Sequence, residues 1–137
     1  MSHRAHSCLI TCMDFRFVER IHQFFSQDQR LAGLYDHVSL AGSAKSLVWP
    51  FLPSDKEFVL RQIELAQKLH HIAEVILVNH QNCGAYGDQD SQVQHETDLR
   101  CARQIISETF PELKVRLFYA TLEEKGKQRR IDFVEIK

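Results

Sequence analysis

Two short segments of this sequence hold side chains that can bind a metal ion. The first segment, CMDFR, begins at Cys12, and the second, HQNCG, places His80 and Cys83 three residues apart. Two thiolates and a neutral imidazole form a ligand set that zinc prefers, and three protein ligands leave one tetrahedral position for water. An open fourth position is typical of catalytic rather than structural zinc sites. Cys12, His80 and Cys83 are therefore predicted to bind Zn2+.

Strands that alternate with helices would bring the two segments together. Apolar runs at residues 8–12, 37–41 and 74–79 predict three strands, and the last run is typical of a strand buried on both faces. Strands alternating with helices imply an α/β fold with a mostly parallel sheet of four to five strands and helices on both faces. In such sheets ligands bind at the carboxyl ends of the strands, where both segments are predicted to lie.

Three helices are predicted between and after these strands. The first covers residues 15–25, and the second and third begin at the capping patterns SDKE (54–57) and SQVQ (91–94). Pro111 is predicted to end the third helix. The expected apolar faces are Phe17, Val18, Ile21, Phe24 and Phe25 in the first, Val59, Ile63, Ala66 and Leu69 in the second, and Val93, Thr97, Cys101, Ile105 and Ile106 in the third.

The last part of the chain alternates polar and apolar residues in two stretches. Residues 115–122 and 131–136 predict two strands paired as a hairpin around the polar turn 123–130. The basic residues of that turn are expected to be solvated rather than to bind nucleic acid.

Composition limits the class of protein. The chain has 137 residues, 44% of them hydrophobic and 26% charged, which predicts one globular domain over residues 1–137. Lys and Arg total 17 against 18 for Asp and Glu, so bulk charge favours neither nucleic acid nor a membrane surface as a partner. Because no apolar run approaches the ~20 residues of a membrane span and no leader is evident, we expect a cytoplasmic protein with a small-molecule substrate. The remaining thiols, Cys8 and Cys101, are expected to be reduced and to pack in the core.

The two segments, in this order and with Ala41-Gly42 between them, resemble the β-class carbonic anhydrases. The resemblance extends from about residue 8 to the fourth strand. It implies zinc held by Cys12, His80 and Cys83, and reversible hydration of CO2 to bicarbonate by a zinc-bound hydroxide. It also implies a homodimer or higher homo-oligomer.

The resemblance assigns roles to Asp14 and Arg16 in the first segment. Asp14 would orient the hydroxide by accepting its hydrogen bond, while Arg16 would pair with this carboxylate and keep it ionised. If Arg16 released it, Asp14 could become a fourth zinc ligand, which is a closed state that some members of the family adopt. The sequence leaves both states open.

Two departures from the family pattern leave other activities open. Only 11 residues precede Cys12, so the helical arm that precedes this motif in the family is expected to be absent. Residues 39–43 read SLAGS where many members have RNAGN or RNAGG. The same zinc site could therefore act on a CO2 analogue, COS or CS2, or the protein could be a non-catalytic zinc-stabilised module.

Other residues near the two segments allow two interpretations. Tyr86 and the loop 49–53 could line an apolar pocket for CO2 or form a subunit interface. His95 could shuttle protons, although a solvated histidine is expected there.

Overall fold

A five-stranded sheet forms the centre of the molecule, for which a computed structural model describes residues 3–137. The strands are β1 (Ser7–Thr11), β2 (Tyr35–Ser39), β3 (Glu74–His80), β4 (Lys114–Lys125) and β5 (Gln128–Ile136). Their order in the sheet is β2-β1-β3-β4-β5, and every neighbouring pair is parallel except β4 with β5. The predicted α/β fold with a mostly parallel sheet is confirmed.

In the described part of the chain, four α-helices pack on the two faces of this sheet. They are α1 (Val18–Gln23), α2 (Lys45–Val48), α3 (Pro53–His70) and α4 (Gln92–Thr109). A π-helical turn, Phe24–Asp28, extends α1, and a 3₁₀ turn, Gly87–Gln89, precedes α4. Within residues 3–137, no helix has the length and apolar content that crossing a bilayer requires.

Alternating side chains of the central strands form two apolar layers. In β1, Ile10 packs on the face covered by α3 and α4, whereas Leu9 packs on the opposite face against Phe17 and Phe25. All seven residues of β3 are buried, as the continuous apolar run predicts for a central parallel strand. These layers fix the positions at which β1 and β3 end, side by side in the middle of the sheet.

The buried faces of the helices match the predicted ones only in part. The predicted core residues that are buried are Phe17, Ile21, Phe25, Val59, Ile63, Ala66 and Ile106. Val18, Leu69, Val93 and Cys101, predicted to be core residues, are exposed. The buried residues of α4 are His95, Asp98, Leu99, Ala102 and Ile106. Apolar periodicity predicted the wrong face of α4 because two residues of the buried face, His95 and Asp98, are polar. Their hydrogen bonds allow them to be buried.

The start of α3 also differs from the prediction. Pro53 occupies the first helical position and Leu52 is the N-cap, so Ser54 lies inside the helix and the predicted SDKE capping box is wrong. The Asp55 carboxylate accepts a hydrogen bond of 3.2 Å from the Leu52 N–H. At α4 the predicted cap is confirmed, since Ser91 Oγ accepts from an N–H at 3.1 Å.

The terminal hairpin is longer than predicted. β4 and β5 remain paired up to Lys125 and Gln128, so the polar residues predicted as a turn belong mostly to the strands. Acidic residues of β4 face basic residues of β5 here, Glu123 opposite Arg130 and Glu124 opposite Arg129. Opposite charges in cross-strand pairs stabilise a sheet, which explains why the ladder continues through this stretch.

Candidate metal centre

The carboxyl ends of β1 and β3 bring the three predicted ligands together. Cys12 follows the last residue of β1, His80 is the last residue of β3, and Cys83 lies in the turn that follows. One donor atom from each residue lies within 4.8 Å of the others. All three residues are buried, with 8%, 1% and 4% of their surfaces exposed.

The Ala-Gly pair between the two segments has a structural reason. The Gly42 N–H donates a hydrogen bond to Cys12 Sγ at 3.4 Å. Gly42 has a φ of +86°, and a Cβ there would lie 3.0 Å from Lys45 Cβ and 3.3 Å from Ala85 Cβ. Only glycine therefore fits at this position while its N–H reaches the sulfur.

The orientation of His80 leaves one ring nitrogen available for a metal. Nδ1 lies 2.8 Å from the Gln81 carbonyl oxygen, which can only accept, so Nδ1 carries a proton. The other ring nitrogen, Nε2, is buried and has no hydrogen-bond partner among residues 3–137. A backbone carbonyl that fixes the tautomer is the usual partner of a metal-binding histidine. The three donors therefore fit a zinc ion, which prefers sulfur and nitrogen ligands.

The two thiols differ in protonation. A hydrogen bond from Cys83, followed by the proximity of His80, lowers the pKa of Cys12 below that of an ordinary thiol and favours its thiolate form. The same thiolate raises the pKa of Cys83, which keeps its proton. Burial alone would lower the pKa of His80, but the Cys12 sulfur beside it raises that pKa. The pocket thus concentrates negative charge that a cation would balance.

Asp14 and Arg16 form a close ion pair beside these donors. Arg16 Nε donates to Asp14 Oδ1 at 3.1 Å and Arg16 Nη2 donates to Asp14 Oδ2 at 2.7 Å. The Arg16 backbone N–H also donates to Asp14 Oδ1 at 2.9 Å. These hydrogen bonds lower the pKa of Asp14 and keep it ionised. Asp14 Oδ2 lies 3.8 Å from His80 Nε2, so the carboxylate faces the ligand pocket.

Arg16 connects the two segments. Its Nη1 donates to Asn82 Oδ1 at 2.8 Å, and its Nη2 donates to the Asn82 carbonyl oxygen at 2.8 Å. Asn82 has a φ of +61°, a left-handed conformation that asparagine tolerates better than most residues. The turn between His80 and Cys83 therefore positions the Arg16 guanidinium, which in turn positions Asp14.

Apolar and aromatic groups close one side of the pocket. Cys12 and Cys83 pack with Tyr86, and Trp49 and Ala85 pack against this cluster. Tyr86 is 2% exposed, whereas Phe51 and Leu52 are 63% and 60% exposed. The structure thus brings Tyr86 and Trp49 to the pocket, and leaves the tip of the 49–53 loop on the surface.

A buried network behind the pocket was not predicted from the sequence. His95, expected to be solvated, is fully buried in α4, and its Nδ1 accepts from Asn79 Nδ2 at 2.9 Å. His95 Nε2 lies 2.8 Å from Asp90 Oδ1. Burial lowers the pKa of His95, so the ring is neutral. A polar residue next to a ligand, such as Asn79 inside an apolar strand, was the sequence signal for this network.

A second set of polar contacts holds the aromatic wall. The Trp49 indole N–H donates to Asp98 Oδ2 at 2.7 Å, and Asn79 Nδ2 donates to the Tyr86 hydroxyl at 2.8 Å. Lys45 Nζ donates to the Trp49 carbonyl at 2.9 Å and lies 4.2 Å from the centre of the Trp49 ring. Trp49 is therefore held by Asp98 at its indole N–H and by Lys45 at its carbonyl and its ring.

Of the two cysteines predicted to be core residues, Cys8 is buried in β1 and Cys101 is exposed. Cys8 packs with the apolar layer under α3 and α4. The four cysteines thus divide into two at the candidate metal centre, one in the core and one on the surface.

Sequence comparison relates the chain to other proteins and to one family. An uncharacterized protein of Rickettsia conorii is 33% identical over 129 residues, which cover 87% of this chain and 69% of that protein. An uncharacterized protein of Rickettsia bellii is 33% identical over 129 residues, which cover 87% of this chain and 78% of that protein. Residues 2–131 match the family described as "Putative carbonic anhydrase". Because that match spans nearly the whole chain, the protein belongs to this carbonic-anhydrase-like family.

Proposed function

We propose that this protein is a zinc-dependent carbonic anhydrase of the β class, which catalyses the reversible hydration of CO2 to bicarbonate and a proton. One observation carries the proposal. The donor atoms of Cys12, His80 and Cys83 converge within 4.8 Å, and an ionised carboxylate oxygen of Asp14 lies 3.8 Å from His80 Nε2. The family match supports the same reaction.

The residues have separate tasks in this proposal. Zinc held by the three ligands would supply Lewis-acid activation of a water molecule at neutral pH. Asp14 Oδ2 accepts one hydrogen bond from Arg16 and keeps acceptor capacity on the side of the pocket. Asp14 therefore orients the attacking water by accepting its O–H, and Arg16 keeps Asp14 ionised and in place.

The pocket wall suits a small uncharged substrate. Tyr86, Trp49 and Ala85 contribute apolar surface beside the ligands, so CO2 enters without the loss of hydration that a charged substrate would suffer. Asp14 makes three hydrogen bonds with Arg16, and we assign this paired state to the active form. Binding of Asp14 to zinc as a fourth ligand would require Arg16 to release it.

The test is CO2 hydration by the zinc-replete protein, followed with a pH indicator in a stopped-flow instrument from pH 6 to 9. We expect turnover by the wild type and a kcat about 100-fold lower in Asp14→Asn, with zinc content unchanged. Asp28→Asn is the matched control, because Asp28 also pairs with an arginine, Arg20 at 4.0 Å, on the surface. Its kcat should equal that of the wild type.

Other outcomes would contradict the proposal in distinct ways. Hydrolysis of COS without hydration of CO2 would keep the site and change the substrate. A zinc-replete protein that is inactive on both, and in which Asp14→Asn makes no difference, would be a non-catalytic zinc-stabilised module.

A further inference from the structure

One carboxylate, Asp90, contacts the turn that carries Cys83 at two backbone N–H groups and is itself contacted by His95. Asp90 Oδ2 accepts from the Asn82 N–H at 3.1 Å, and Asp90 Oδ1 accepts from the Cys83 N–H at 3.1 Å. Asp90 Oδ1 also lies 2.8 Å from His95 Nε2. No other side chain among residues 3–137 accepts from these two backbone N–H groups.

The orientation of Asp90 is fixed from behind by His95. Asn79 Oδ1 accepts a hydrogen bond from the Ala44 N–H at 3.1 Å, so the amide nitrogen of the same side chain faces the His95 ring. An amide NH₂ group can only donate, so it requires His95 Nδ1 to be the acceptor. The proton of the neutral ring is then on Nε2, which donates to Asp90. His95 is fully buried, so this orientation is held by packing as well as by hydrogen bonds.

The contacts of Asp90 affect both halves of the candidate metal centre. Through the Cys83 N–H it fixes the backbone of a predicted ligand. Through the Asn82 N–H it holds a residue in a left-handed conformation, whose carbonyl and side-chain oxygens both bind Arg16. Arg16 in turn holds Asp14. Loss of this carboxylate would therefore loosen a metal ligand and the Asp14–Arg16 pair together.

We propose that Asp90, oriented by the buried His95, is a positioning residue that sets the metal affinity of the Cys12, His80 and Cys83 site and the placement of Arg16. The inference rests on the proposed function insofar as it assumes a metal at this site. Asp90 touches neither a reacting atom nor the ligand sulfur, and it acts through the backbone of the turn.

The experiment compares Asp90→Asn with Asp88→Asn, a change of the same chemistry at an exposed aspartate in the adjacent 3₁₀ turn. Zinc affinity is measured by competition with a chromogenic chelator, and Co2+ is used as a spectroscopic probe of the ligand geometry. We expect zinc affinity about 10- to 100-fold weaker in Asp90→Asn, with an altered Co2+ thiolate charge-transfer spectrum. Asp88→Asn should match the wild type in both measurements.

A second variant keeps the proposal testable if Asp90→Asn does not fold. Asp90→Glu retains the carboxylate but adds a methylene, so we expect it to fold and to bind zinc with intermediate affinity. Wild-type zinc affinity and a wild-type Co2+ spectrum in a folded Asp90→Asn or Asp90→Glu would overturn the positioning role. A wild-type protein that binds neither metal would overturn this inference together with the metal site. Metal binding without CO2 hydration would overturn only the proposed function, because affinity and spectrum would still decide the role of Asp90.

Discussion

The buried polar groups at the two ends of β1 and β3 differ in whether their hydrogen bonds are satisfied. At the amino ends, Ser7 Oγ donates to Glu74 Oε2 at 2.8 Å, and His6 Nδ1 lies 2.9 Å from Ser7 Oγ. Ser7 and Glu74 are 0% and 5% exposed. At the carboxyl ends, His80 is equally buried, but its Nε2 has no partner within residues 3–137.

This difference separates a stabilising end of the sheet from a functional end. A buried polar atom without a partner costs about 1–3 kcal/mol, so a chain selected only for stability would have satisfied Nε2 as it satisfied Glu74. Strained or unsatisfied groups are typical of sites that bind a ligand. The same pair of strands thus has a closed polar cluster at one end and an open donor set at the other.

The largest effect is expected from removing the unsatisfied atom. In His80→Phe the ring keeps its packing with Phe17, whose centre lies 4.2 Å away, but loses the metal-binding nitrogen. The variant also loses the hydrogen bond from Nδ1 to the Gln81 carbonyl oxygen. We expect the free energy of unfolding in EDTA to change by less than about 1 kcal/mol, because removing the buried, unpartnered Nε2 offsets the loss of that bond. At a free zinc concentration 100 times the wild-type Kd, the wild type should gain about 2.7 kcal/mol and the variant none. Urea denaturation with EDTA and with zinc measures both.

A large loss of stability for His80→Phe in EDTA would contradict the comparison. A loss larger than the single Nδ1 hydrogen bond explains would mean that Nε2 is satisfied in the metal-free protein and that the two ends of the strands do not differ. Equal stabilisation of both proteins by zinc would place the metal elsewhere.

The second prediction concerns the opposite end. Ser7→Ala removes the donor to Glu74 and leaves a buried carboxylate without its shortest hydrogen bond. We expect the free energy of unfolding to fall by about 1–3 kcal/mol and the zinc affinity to stay at the wild-type value. Denaturation and chelator competition on the same samples test both statements. An equal loss of zinc affinity would show that the two ends are energetically coupled.

The sequence predicted the residues at the functional end better than their surroundings. Cys12, His80 and Cys83 were found because their types and strand-end positions carry information, and the structure brings them together. Asp90 was not identified and His95 was expected to be solvated, because a carboxylate and a histidine in a polar stretch look solvated until the tertiary fold buries them. Hydrophobic periodicity describes helices that bury only apolar residues, and α4 buries polar ones as well.

The strands were predicted to within two residues at most ends, but the extent of the hairpin turn and the capping residue of α3 were wrong. Both errors have a local cause. Cross-strand charge pairs such as Glu124 with Arg129 make a polar stretch extend a ladder. Pro53 can start a helix at its first position, which places the cap before the apparent SDKE box.

The smallest effect concerns Cys8, the second residue of the strand that ends beside Cys12. Burial, helped by the negative charge of Asp36, raises the pKa of the Cys8 thiol from an ordinary value of 9.0 to about 12. The folded protein therefore keeps a proton that the unfolded chain releases above pH 9, so this contribution to stability is complete below that pH. It is lost progressively as the pH rises toward 12.

Comparison with Cys8→Ala isolates this contribution from other groups that titrate in alkali. Cys8→Ala is expected to be less stable than the wild type at pH 8, because it loses buried volume. Between pH 9 and 10 the difference in unfolding free energy between the wild type and Cys8→Ala should narrow by on the order of 1 kcal/mol. Only the wild type has a thiol at position 8 that ionises on unfolding. Urea denaturation in EDTA and a reductant at both pH values measures this difference in unfolding free energy.

A constant difference would mean that Cys8 ionises as easily in the folded protein as in the unfolded chain. Cys8 in β1 and Cys12 just after it would then not differ in environment as a core thiol and a metal ligand should.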